Sequence, residues 1–135
     1  EIDGKKYLDG GIADSIPVLK AKELGYDKII VITTRPEGYR KEPLSPLMLK
    51  VVQSKYKKYP AFIKTMASRA TCYNETLDMI KTMENHNQIF VIRPTEPIHL
   101  GTIERDADNL QNVHDLGVKV CNERLEALKE YLNDH

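Results

Sequence analysis

Lys28-Ile29-Ile30-Val31-Ile32-Thr33-Thr34 sets six β-branched residues in succession behind one lysine. β-branched side chains suit a pleated surface. An unbroken run of them reads as a strand covered on both faces, as in parallel sheets flanked by helices. Toward the amino terminus, Gly25 ends a helix of about two turns whose buried side would be Ile16, Leu19, Ala21 and Leu24. Pro17 fits the first position of that helix, where its missing N–H costs nothing. Before it, Lys5 to Leu8 reads as another strand. Strand, helix and strand over roughly thirty residues form a right-handed βαβ unit.

Toward the carboxy terminus, Arg35 to Pro43 is a loop fixed by two prolines and a glycine. A helix is expected from Ser45 to about Tyr59, ahead of Pro60. A longer helix follows, because Phe62, Met66, Ala70, Tyr73, Leu77 and Ile80 recur at helical spacing up to Asn85-His86-Asn87. Gln88 to Arg93 is a third strand and 94–103 a loop. A helix over Glu104 to Asp115 is broken at Gly117, and Val118, Cys121, Leu125, Leu128 and Leu132 form the apolar stripe of the last one. The expected fold class is therefore α/β: three layers, with three mostly parallel strands at 5–8, 28–34 and 88–93 between helices. Site residues in such folds lie at the carboxyl ends of the strands.

The position of that kind is Asp9, which follows the first strand and precedes Gly10 and Gly11. The glycines permit a sharp turn that holds the carboxylate in place. Asp14 and Ser15 precede Pro17 and suit helix capping. Asp3-Gly4 is a pair favoured in two-residue hairpin turns, with Glu1 and Ile2 as the remnant of a strand before it.

Tyr7-Leu8-Asp9-Gly10-Gly11, with Ile16-Pro17-Val18 and the Thr34-Arg35-Pro36 to Gly38-Tyr39-Arg40-Lys41 loop, resembles the patatin-like phospholipases, lipid acyl hydrolases with a Ser-Asp dyad. The resemblance is strong over 5–41, diffuse over 45–94 and only one of element order beyond. It implies that Asp9 is the catalytic acid, and that residues 1–135 are the carboxy-terminal part of a patatin-like fold. The family's Gly-x-Ser-x-Gly elbow and glycine-rich oxyanion loop lie upstream of its Asp-Gly-Gly, and none of Ser15, Ser45, Ser54 or Ser68 has flanking glycines at that spacing. The serine nucleophile is thus expected in an amino-terminal half outside this sequence. The reaction implied is hydrolysis of a lipid or acyl ester, and this fragment alone would be inactive and prone to self-association.

Net charge is zero, with 41% hydrophobic and 30% charged residues, which gives no global argument for a nucleic-acid or membrane partner. Residues 33–69 nevertheless carry nine Lys or Arg against two acids. Arg35, Tyr39, Arg40 and Lys41 form a cationic, aromatic loop suited to phospholipid headgroups, which would bring the protein to an anionic membrane surface from the cytoplasm. Cys72 and Cys121 make no disulfide framework and suit buried free thiols in a reducing compartment. His86, His99, His114 and His135 have no metal-ligand spacing, and no phosphate-cradling glycine loop occurs, so no metal or cofactor is implied. No stretch approaches the ~18 apolar residues of a spanning helix. The competing reading is a non-catalytic binding or interaction module in which Asp9-Gly10-Gly11 is only a turn.

Overall fold

The computed structural model describes residues 2–101 and 103–134. Glu1 and His135 lie outside the described residues. The elements are a 3-10 turn at Gly10–Ile12, α1 (Val18–Glu23), β1 (Ile30–Ile32), α2 (Pro46–Lys55), α3 (Pro60–Asn85), β2 (Phe90–Ile92) and α4 (Ala107–Asn133). They divide into two compact units, Glu1–Leu19 with Arg40–Ile80 and Lys20–Tyr39 with Lys81–His135.

The three-strand, three-layer expectation is not met: helices dominate, and the described residues hold one sheet of two parallel strands. Residues 5–8 form no strand. Asp3-Gly4 does turn the chain, with both residues at positive φ and Ile2 and Lys5 exchanging two backbone hydrogen bonds of 2.9 Å. The pairing stops at that bridge. No further strand among the described residues lies beside Tyr7 and Leu8, which stay 62% and 64% exposed. An extended segment without a neighbour has nothing to take its ladder bonds.

In the first unit, Ser45 caps α2 by accepting from Met48 N at 3.3 Å, and Pro46 occupies the first turn. α3 follows the apolar spacing of its sequence: Ala70 and Ile80 are buried, and Phe62, Met66, Tyr73 and Leu77 half-buried. Asn87, at positive φ, closes it, with Gln88 N donating to Met83 O and Asn87 N to Glu84 O. Cys72, expected buried, is exposed on α3, while Cys121 is half-buried on α4. α1 is short, and it buries Val18 where Leu19 and Leu24 had been expected inside.

The second unit is built on β1 and β2, paired as Ile30 with Phe90, Val31 with Val91 and Ile32 with Ile92. All three residues of β2 are buried. Phe90 and Ile92 pack with Val120 of α4, and Leu116, Cys121, Leu128 and Tyr131 surround them. β1 is covered less completely, and Ile30 and Ile32 are exposed.

α4 begins later than the sequence indicated. Asp106 accepts from Asp108 N and Asn109 N, so the helix opens at Ala107 and Glu104 lies before it. It also runs through Gly117 without a break. A helical glycine costs about 1 kcal/mol relative to alanine, and packing of Leu116, Val120 and Cys121 on β2 outweighs that. The buried face accordingly runs Leu116, Val120, Cys121, Leu128 and Tyr131, leaving Val118, Leu125 and Leu132 of the expected stripe exposed.

Tyr131 ties the helix end to both strands. Its hydroxyl accepts from Ile29 N at 3.1 Å and lies 3.4 Å from the carbonyls of Ile29 and Gln88. Lys28 Nζ donates to the carbonyls of Tyr131 and Asp134, satisfying acceptors that a helix terminus leaves open.

Two substitutions test this account. Gly117→Ala meets open space and needs no unusual backbone, so it should stabilise the protein by about 0.5–1 kcal/mol. Tyr131→Phe should destabilise it by about 1 kcal/mol, because Ile29 N loses its partner. Denaturant midpoints read both.

Candidate functional site around Asp9

Asp9 sits at a tight turn, not at a strand end. Its Oδ1 accepts from Gly11 N at 2.8 Å, capping the 3-10 turn Gly10–Ile12. Ile12 N returns to Asp9 O at 3.1 Å, and Ala13 N and Asp14 N both reach Gly10 O at 3.0 Å. The carboxylate is exposed, and among the described residues its second oxygen accepts no hydrogen bond. A carboxylate pinned through one oxygen can offer the other to a proton from an approaching hydroxyl.

The two glycines differ in what they contribute. Gly10 has open space around its missing side chain and no positive φ. At Gly11 a Cβ would stand 3.2 Å from Asp9 Oδ1, so the close approach of the carboxylate depends on this glycine. The Gly11 carbonyl is held from two directions, by Ser15 Oγ at 2.7 Å and Arg69 Nε of α3 at 3.3 Å. Asp14 Oδ1 accepts from Ile16 N at 3.2 Å, two residues ahead of α1, so it holds the turn before the helix and does not cap the helix as expected. Ser15, engaged with Gly11, makes no hydrogen bond to Asp9 among the described residues. Residues 12–16 and α3 residues Thr65, Arg69 and Thr76 flank a cleft of about 50 Å³, room for a few water molecules.

The cationic loop divides between the units. Arg35 stacks on Tyr39, 5.0 Å from its ring centre. Arg40 pairs with Asp78 and reaches the Asn74 carbonyl at 3.4 Å. The Asn74 side chain clamps the Lys41 backbone, accepting from its N at 2.8 Å and donating to its O at 3.1 Å, and Lys41 Nζ lies 5.2 Å from the Tyr73 ring. Arg40 is thus already engaged by a carboxylate. Arg69 and Asn74 were missed in the sequence. An asparagine inside a long helix has poor propensity, and that is the signal that could have marked Asn74.

A second cluster, also missed, stands where β1 and β2 end. Arg93, largely enclosed, pairs with Glu84 of α3 and, at 3.3 Å, with Glu37 of the loop after β1. Lys81 reaches Glu37 at 2.9 Å. The Lys81 hydrogen bond, with the charges of Lys81 and Arg93, holds the Glu37 carboxyl below its ordinary value.

His86 bonds the Thr82 carbonyl, His114 bonds Asp115 at 3.1 Å, and His99 is exposed. His135 lies outside the described residues. Among the described residues no group of three or more His, Cys, Asp or Glu could hold a metal ion. No helix among them is long and apolar enough to cross a membrane.

Residues 59–133, more than half of the chain, match the family model described as Domain of unknown function (DUF6363), and the chain belongs to this family. The matched part covers α3, β2 and α4 and leaves out the Asp9 turn, β1 and α2. The chain is 29% identical over 98 residues to "Uncharacterized protein YjjU" of Escherichia coli (strain K12). That match covers 73% of this chain and 27% of the relative, so the chain spans about a quarter of that protein's length. No solved structure matches the chain.

Acidification reports on the Glu37 cluster. A glutamate whose value is lowered by folding stabilises above its unfolded value and loses that contribution as pH falls through the folded one. The part of the acid-side stability loss that falls below pH 4.5 should therefore be smaller in Glu37→Gln, read from denaturant midpoints between pH 6 and pH 3.

Proposed function

We propose that this member of the DUF6363 family is, by its resemblance at residues 7–11 and 34–41, the carboxy-terminal part of a patatin-like lipid acyl hydrolase in which Asp9 is the acid of a Ser-Asp dyad. The observation that carries this reading is the Asp9 carboxylate: exposed, pinned by Gly11 N through one oxygen, with the other accepting no hydrogen bond among the described residues. The serine comes from the portion of the domain preceding this sequence. Its hydroxyl approaches Asp9 Oδ2, which takes the proton as the serine oxygen attacks the ester carbonyl. The alcohol leaves with a proton, an acyl-enzyme forms, and water attacks it with Asp9 again as base. Oxyanion donors come from the same preceding portion. The substrate is a lipid or acyl ester met at a cytoplasmic membrane surface, and no metal or cofactor takes part. The exposed Ile30 and Ile32 on β1 support self-association of the fragment when it is expressed alone.

A second reading has one observation in its favour. Asp9 Oδ1 bonded to the amide two residues on is also what a plain turn-forming aspartate does. In that case the chain is a non-catalytic interaction module.

Hydrolysis of a short p-nitrophenyl acyl ester by the full-length native protein separates them. Asp9→Asn should lower turnover by about a hundredfold or more while the fold is kept, the size expected for loss of a general base. Gly11→Ala, which crowds Oδ1, should cost about tenfold through misplacement of the carboxylate. Equal turnover in parent and Asp9→Asn would sink the dyad and favour the module.

A further inference from the structure

α2 turns apolar side chains to solvent. Leu47 is 75% exposed and Val51, one turn further on the same face, 50%. Met48 flanks them and is also exposed, while the opposite side is held down by buried Val52 and half-buried Leu49. Helical spacing puts Lys50 on one side of the Leu47–Val51 row and Lys55 on the other. Lys57 and Lys58 follow in the turn before α3, and Tyr59 beside them is exposed.

The charge around this face is one-sided. Residues 43–74 contain six Lys or Arg and no Asp or Glu. Among the described residues, no carboxylate pairs with Lys50, Lys55, Lys57 or Lys58. Helices that lie in a membrane interface combine an exposed aliphatic row with flanking lysines, whose long stems let the charge reach the headgroups while the row enters the acyl boundary.

We propose that α2, with Leu47 and Val51 as its inserting row and Lys50, Lys55, Lys57 and Lys58 as its rim, is a docking surface for an anionic lipid bilayer. Charge complementarity selects the sign of the partner, and the aliphatic row selects a bilayer over a nucleic acid, whose backbone offers lysines a contact but leaves Leu47 and Val51 uncovered. This goes beyond headgroup contact by the 35–41 loop, where Arg40 is already paired with Asp78. It is independent of the dyad, since binding is read without turnover.

The test is flotation of the full-length native protein with vesicles of phosphatidylcholine alone or with phosphatidylserine added, at low and high salt. The parent should float with phosphatidylserine vesicles only, and less so at high salt. Leu47→Ser with Val51→Ser should weaken binding about tenfold or more. Changing Lys50, Lys55, Lys57 and Lys58 to Gln should weaken it about a hundredfold. Because all six side chains are exposed, circular dichroism and thermal midpoints should stay at the parent's values. Three results would each overturn the proposal: no flotation of the parent, flotation unchanged by the Leu47 and Val51 pair, or equal flotation with both vesicle types. Retention on nucleic acid that falls with the lysine changes, beside unaltered flotation, would overturn it too.

Discussion

Two strands of three residues form too short a ladder to persist alone, so the second unit depends on α4 lying along Phe90 and Ile92. The ring of Tyr131 stands 5.7 Å from that of Phe90, and Arg124 lies over the Phe90 ring at 4.8 Å. Two parallel three-residue strands are therefore stabilised less by their own hydrogen bonds than by apolar burial against one long helix. This explains why α4 tolerates Gly117: the side chains on either side are committed to the strands.

At the other end of the strands the same unit uses charge. Arg93 joins the end of β2 to α3 through Glu84 and to the loop after β1 through Glu37. Apolar packing holds the body of the sheet and ion pairs hold its carboxyl edge. In the first unit the Asp9 turn is supported differently, by a backbone carbonyl gripped from two sides. The carboxylate of Asp9 is left with few partners, while the peptide units beneath it are fixed.

Legibility in the sequence followed the range of the forces involved. The face of α3, from Phe62 to Ile80, was readable because it depends on local periodicity and a strong start and stop. The strands at Ile30–Ile32 and Phe90–Ile92 were readable from β-branched and apolar runs. Lys5 to Leu8 was misread because a strand exists only with a neighbour, and composition carries no information on whether one is present. The α4 face was misplaced by assuming that Gly117 breaks a helix, a local preference that tertiary packing overrode. The tight turn at Asp9 and Gly11 was readable from residue types, whereas a catalytic role for Asp9 rests on the family resemblance. The grip of Arg69 on Gly11, and of Asn74 on Lys41, joins residues far apart in sequence and leaves almost no local trace.

The bond between Ile29 and Tyr131 spans 102 residues. During synthesis at about 5–20 residues per second, β1 leaves the ribosome roughly 5–20 s before the helix end that completes its enclosure. For that interval Ile29 and Val31, buried in the finished fold, lack their cover and stand open to chaperones and to neighbouring chains. The distance in sequence between a strand and its clasp thus sets a waiting time in the cell, and assembly of this unit is bound to the last turns of α4 being made.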